Sequence, residues 1–177
     1  PIDRETGVCS ICGAPCTHIE TDKNGLCIAC GARIMFCEAE GTLYKTLQAA
    51  QEELKDRTDN PVVKLLADYW GNVSLLGTEN GYTLDLNGFR VQQSPVIMLE
   101  GRTLTITDSS AAKTGGLYEL QISGGTAYLR DGIYGEISVS HGAIKITGEG
   151  TVKITQKIEM PGKFIVSGEY SNDWKVA

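Results

Sequence analysis

All six cysteines of the chain lie between Cys9 and Cys37, in a spacing suited to binding a metal ion. Gly7-Val8-Cys9-Ser10-Ile11-Cys12-Gly13-Ala14 is matched by Gly25-Leu26-Cys27-Ile28-Ala29-Cys30-Gly31-Ala32. In each Cys-x-x-Cys-Gly knuckle two thiolates can converge on one ion, and the glycine turns the chain so that backbone N–H groups reach the sulfurs. Together the knuckles supply Cys9, Cys12, Cys27 and Cys30 as a tetrahedral zinc site. Cys16-Thr17-His18 offers a second solution, the tetrad Cys16, His18, Cys27 and Cys30. The second tetrad explains the duplication better, because the Cys9/Cys12 knuckle then closes an earlier unit whose Cys-x-His would precede Pro1. The first tetrad needs no residue outside the chain, so both stay open at this point.

Disulfides are the competing use of an even number of cysteines. Paired knuckles are the more specific signal, so a structural zinc is expected, at about one equivalent per chain. Either tetrad fills the coordination sphere and leaves no position for a water, which argues against catalytic zinc. Redox chemistry at a Cys-x-x-Cys would want a βαβ context that this segment lacks. Cys37 reads as a small buried apolar residue, or else as a stand-in ligand.

The elements that must carry this head follow from residue 39 onwards. Thr42 is a candidate N-cap, and Leu43, Leu47, Ala50 and Leu54 form one apolar stripe behind it. The spacing predicts a helix of about 14 residues, some 20 Å long, ending before Asp59-Asn60-Pro61. Beyond it the chain becomes a series of short alternating runs: Val62–Asp68, Leu84-Asp85-Leu86, Leu104-Thr105-Ile106, Leu120-Gln121-Ile122, Ile137-Ser138-Val139, Ile144-Lys145-Ile146 and Val152-Lys153-Ile154. Asn87-Gly88 and similar turn residues separate them. Such runs cannot bury a core alone and must stack. A right-handed parallel β-helix is therefore expected, with the amphipathic helix capping its open end and Ala111–Gly115 projecting from a corner. A β-sandwich is the structural rival. The expected division is 1–38 Cys-rich zinc-binding segment, zinc-ribbon-like; 39–60 capping helix and linker; 61–177 parallel β-helix.

A net charge of −6 argues against a nucleic-acid partner. No apolar run approaches the roughly 20 residues that span a bilayer. The chain shows no secretory leader and starts at Pro1, as a piece of a longer protein or a processed form would.

Leu43–Ala50, Val63–Asp68, Thr83–Gly88 and Leu104–Ser110 together resemble right-handed parallel β-helix modules of Gram-positive surface proteins. The Cys16-x-His18…Cys27-x-x-Cys30-Gly31 element is similar to small Cys/His units that precede such modules. The resemblance implies a secreted or wall-anchored module, a stalk or adhesive part, with neighbouring domains and a glycan or a host or bacterial surface protein as partner.

β-helices also include polysaccharide lyases and hydrolases, so a carbohydrate-active enzyme is the alternative. Its candidates would be Asp85, Asp108, Asp131 and Glu136, but Asp108 and Asp131 read as turn residues and Asp85 as a single outward carboxylate. His141 reads as a lone corner residue. Tyr69, Trp70, Tyr118, Tyr128, Tyr134, Tyr170 and Trp174 could stack on sugars or pack at coil corners, and Tyr69-Trp70 is the candidate ligand-binding pair. The function expected is a non-catalytic surface module, structural or adhesive, with a structural zinc.

Overall fold

The alternating runs do stack, each lying parallel to the run about one coil later. A computed structural model describes residues 3, 5–6, 8, 14–71, 73–75, 81–98, 102–147, 152–155, 157–159, 163–167 and 175–176. The fold is mainly β, a β-solenoid with three strand-bearing faces. The first face holds β3 (Val62–Leu65), β5 (Tyr82–Asp85), β7 (Thr103–Thr107), the later parts of β8 (Gly116–Leu129) and β9 (Gly132–Thr147), and β12 (Lys163–Ser167). The second begins at a parallel bridge from Tyr69 to Val91 near the start of β6 (Arg90–Met98). It continues through the starts of β8 and β9 to β10 (Val152–Ile154). The third holds β4 (Val73–Leu75), the rest of β6, the middles of β8 and β9, β11 (Lys157–Glu159) and β13 (Lys175–Val176). Parallel pairing throughout these faces rules out the sandwich, whose hairpins would pair antiparallel.

Side chains alternate in and out, so aligned strands build files. Val63, Leu84, Ile106, Leu129 and Ile146 are successive partners on the first face, and all are buried. Tyr69, Val91, Leu117, Tyr134 and Ile154 form the matching file of the second. Burying each such side chain stabilises the stack by roughly 1.5–3 kcal/mol. At the corner after β5, Asn87 and Gly88 take positive φ (48° and 83°), and the Phe89 N–H reaches Leu86 O at 2.8 Å. The long corner Asp108–Gly115 carries the exposed residues Ala111 to Thr114, the projecting loop that was expected.

The cap differs from the expected long helix. Residues Thr42–Tyr44 form β2, which pairs antiparallel with β1 (Cys37–Ala39) through the two-residue turn Glu40-Gly41. Strand β1 pairs antiparallel with β3, Cys37 facing Leu65. The helix α1 is shorter, Leu47–Leu54, and its N-cap is Thr46, whose Oγ1 accepts the Ala49 N–H at 3.1 Å. Leu43, expected on the helical stripe, lies opposite Glu38 in the hairpin instead. Ladder bonds to the edge of β3 outweigh the helical pattern, which shares Leu47, Ala50 and Leu54 with the observed helix. These three side chains are buried in the same core as Cys37, Ala39 and Val63, so the expected boundary at residue 38 falls inside β1. No described helix is long and apolar enough to cross a membrane.

Candidate metal centre

The head is a loop structure held by its own backbone. Asp22 sets the loop between the two ligand pairs: its Oδ1 accepts the N–H groups of Asn24 (2.8 Å) and Leu26 (2.9 Å). The Leu26 N–H first, then that of Asn24, hold this carboxyl below the usual range against the upward push of burial. Thr21 bridges Cys27 and Leu26 bridges Arg33, both antiparallel. The Cys27 N–H donates to Ala32 O and the Gly31 N–H to Cys27 O, each at 2.8 Å, folding residues 27–31 into a closed knuckle. The Ile34 and Met35 N–H groups both donate to Gly25 O, joining the loop to the segment that leads into β1.

These turns bring Cys16, His18, Cys27 and Cys30 together, with all four ligand atoms within 4.8 Å of one another. Cys16 Sγ lies 3.5 Å from Cys27 Sγ, and Cys30 Sγ lies 3.4 Å from His18 Nδ1. Cys27 and Cys30 are buried, while Cys16 and His18 are partly open. The electrostatics favour anionic sulfur. Donation from the Cys30 N–H, then from His18, and further from Ala29 and Cys16, holds the Cys27 thiol at about 6 although burial opposes it. At Cys16 the His18 N–H lowers the pKa, but burial and the sulfurs of Cys27 and Cys30 carry the net shift upwards. A Cys27 thiolate beside a Cys16 thiol is the metal-free form of a site that a cation would fully deprotonate.

Of the two tetrads, the described residues assemble Cys16, His18, Cys27 and Cys30 into a group able to hold a metal ion. Cys9 and Cys12 lie outside the described residues. Cys37 is elsewhere, fully buried under the hairpin, with its thiol directed at Tyr44 O and Thr46 O. Burial pushes that thiol up to about 12, so it is a neutral core residue and not a stand-in ligand. Cys16, Cys27, Cys30 and Cys37 are all free thiols.

Three of the candidate acids, Asp85, Asp108 and Asp131, stand at the corners, while Glu136 lies within β9. Asp85, read as a single outward carboxylate, is buried instead, and its Oδ1 accepts the N–H groups of Asn87 (3.0 Å) and Ser109 (2.8 Å). Asp108 accepts from Gly88 and Ser110 at Oδ1 and from Gly115 at Oδ2. Asp131 is approached by Lys113 Nζ at 3.3 Å and by the Thr107 hydroxyl at 3.4 Å. One juxtaposition escaped the sequence reading: Glu119 and Glu136 are direct partners in neighbouring rungs. They stand one coil apart in sequence, so only a known register would have paired them. His141 is exposed and aligned with Ser123.

The aromatic residues divide. Trp70 and Tyr118 are 56% and 54% exposed. Tyr69 turns inwards, its ring edge-on to Phe36 at 6.1 Å, and Tyr134 is fully buried. Tyr128 lies under Lys145, whose ammonium is 5.1 Å from the ring centre. Tyr170 and Trp174 lie outside the described residues. Compared with family models, curated proteins and solved structures, the chain gives no match.

Proposed function

We propose that the chain is a non-catalytic structural module of a secreted or cell-surface protein, a solenoid shaft whose head is clasped by zinc. The convergence of Cys16, His18, Cys27 and Cys30 within 4.8 Å carries the reading. Three sulfurs and one imidazole form a common donor set for structural zinc, and they leave no open position for a substrate or a water. The wedding of Asp85, Asp108 and Asp131 to corner N–H groups and to Lys113 supports a shaft over an enzyme. Spacing and adhesion, with a glycan or a surface protein as partner, are the roles proposed for that shaft.

Elemental analysis of the purified chain tests the head. The expected result is bound zinc, at about one equivalent per chain, lost in Cys27→Ser and Cys30→Ser. A metal-free chain with these cysteines oxidised to disulfides would overturn it. A second reading, a carbohydrate-active enzyme, is favoured by the Glu119–Glu136 pairing, since glycoside cleavage uses two facing carboxyl groups. Release of reducing ends from a polysaccharide, abolished by Glu136→Gln, would establish it in place of the non-catalytic one.

A further inference from the structure

Asn24-Gly25, in the loop between the two ligand pairs, and Asn87-Gly88, at the corner after β5, are the same dipeptide in opposite surroundings. In an Asn-Gly pair the glycine nitrogen can close on the asparagine side chain, because the glycine brings no Cβ to obstruct it. Hydroxide first removes the proton from the glycine nitrogen. That nitrogen then bonds to asparagine Cγ, and the Cγ–Nδ2 bond breaks, Nδ2 leaving as ammonia with a proton from water. Water opens the resulting cyclic imide at either carbonyl, giving aspartate or isoaspartate.

The corner pair is held against this reaction. Asn87 Nδ2 donates to Leu65 O at 2.9 Å, one coil back, and the Gly88 N–H donates to Asp108 Oδ1 at 2.8 Å, one coil on. The amide and the nitrogen that would attack it are therefore tied to different coils. The Asp108 carboxylate also opposes the negative charge that the nitrogen must acquire.

The head pair has the reverse arrangement. Asn24 is exposed, and its Nδ2 is held loosely, 3.4 Å from Asp22 Oδ2. Arg33 Nη1 donates to Asn24 O and approaches Met35 O at 3.4 Å. Asn24 O is the carbonyl oxygen of the peptide whose nitrogen attacks. Once the Gly25 N–H, now donated to Asp22 O at 3.0 Å, loses its proton, amide resonance spreads the charge onto Asn24 O. The guanidinium already stands there, placed to stabilise the anion as it forms. Asp22 is the opposing charge, near enough for Arg33 to help lower its carboxyl. Its Oδ1 is taken by the N–H groups of Asn24 and Leu26, and its Oδ2 faces the departing nitrogen rather than the carbonyl.

We infer that Asn24-Gly25 is a site of spontaneous self-modification, promoted by Arg33, at which Asn24 converts to aspartate and isoaspartate. Isoaspartate lengthens the backbone by one carbon beside Gly25, which has no slack to absorb it. Gly25 O accepts from the Ile34 and Met35 N–H groups at 2.9 and 3.0 Å, and a Cβ on Gly25 would stand 2.6 Å from Met35 Cβ. The strain passes to the knuckle that begins at Cys27, so a modified head gives up its metal faster. That consequence rests on the zinc reading above, whereas the modification does not.

Incubation of the full zinc-loaded chain at mildly alkaline pH, followed over time by peptide mass spectrometry and isoaspartyl methyltransferase labelling, tests the site. Asn24 is expected to convert well before Asn87, which should react only after urea is added. Arg33→Gln should slow conversion at Asn24 about fivefold, the effect of one exposed charged contact, and Arg33→Lys should restore part of the rate. A role of Arg33 in merely holding the loop predicts the opposite sign, because a looser loop reacts faster. In urea the wild type and Arg33→Gln should convert Asn24 at one rate. Conversion of Asn24 no faster than of Asn87 in the folded chain would overturn the site, and an Arg33→Gln rate equal to or above wild type would overturn the role of Arg33. Release of zinc to a chelator, compared between modified and unmodified fractions, reads the consequence separately, and equal release would refute it.

Discussion

Cys27 and Cys37 carry the same thiol in opposite environments. Backbone N–H groups and His18 draw Cys27 to about 6, while burial alone lifts Cys37 to about 12. In the folded, chelator-treated chain, iodoacetamide should therefore label the head, entering at the partly open Cys16 beside Cys27, before Cys37, which reacts only after denaturant is added; peptide mass spectrometry reads both. Equal labelling rates would show that Cys37 is not in the core. Asp108 follows the pattern of Cys27. Burial would raise its pKa, but Ser110 and the N–H groups of Gly115 and Gly88 outweigh it and leave the carboxyl lowered. A depressed folded-state pKa adds stability that is fully present above the unfolded value of about 3.9 and is lost as pH falls through the folded value. The wild type should thus lose melting temperature below about pH 4. Asp108→Asn keeps an oxygen for Gly88 and Ser110 but turns an NH₂ towards the Gly115 N–H, where two donors would face each other. The variant should be less stable at pH 7 by about 1–3 kcal/mol, with a flatter acid limb. Circular-dichroism melts at pH 7 and pH 3 decide, and a variant as stable as wild type at neutral pH refutes the assignment.

At the scale of elements, Asn87-Gly88 was readable because both residues favour the left-handed conformation that the corner uses. Glu40-Gly41 was hidden: glutamate is a poor signal for positive φ, and the residues after it continue a helical stripe. The readable clue was alternation on either side of the pair, Cys37-Glu38-Ala39 and Thr42-Leu43-Tyr44, with glycine second in the turn. Helix α1 was legible only where tertiary pairing left the chain free to form it, from Thr46 on. Gly41 has φ 81° and nothing near the place of a Cβ, so any cost of substitution there is conformational alone. Gly41→Ala should destabilise by about 1–2 kcal/mol, and Gly41→Asn by less, because asparagine tolerates this region. Thr46→Ala, which removes the cap on the Ala49 N–H, should cost about 1 kcal/mol. Urea melts measure all three. An asparagine variant weaker than the alanine one would mean that the turn is not what limits this position.

For the whole molecule, the stacking principle was legible and the register was not. Leu84 and Leu104 belong to the first face, Leu120 and Ile137 to the third and Val152 to the second. Their near-even spacing therefore mixed faces. The true coils run from Val62 to Thr83, to Thr105, to Tyr128 and to Lys145, with offsets of 21, 22, 23 and 17 residues. The variation sits in corners such as Asp108–Gly115, which the strands tolerate. A stack of this kind has an end, and an end strand offers unpaired N–H and C=O groups to any other strand. Strand β1 covers that edge of β3 antiparallel, and α1 closes the core beneath, packing on β1, β2 and β4. Protection of the edge is thus assigned to the hairpin at least as much as to the helix. A chain beginning at Pro61 should form larger, faster-sedimenting species than the full chain while keeping its β circular dichroism. Glu38→Pro, which leaves the chain length intact but removes an N–H from the middle of β1, should shift the same way in milder form. Sedimentation velocity at matched concentrations compares them. Truncated and full chains of equal association state would show that the hairpin does not guard the edge of β3.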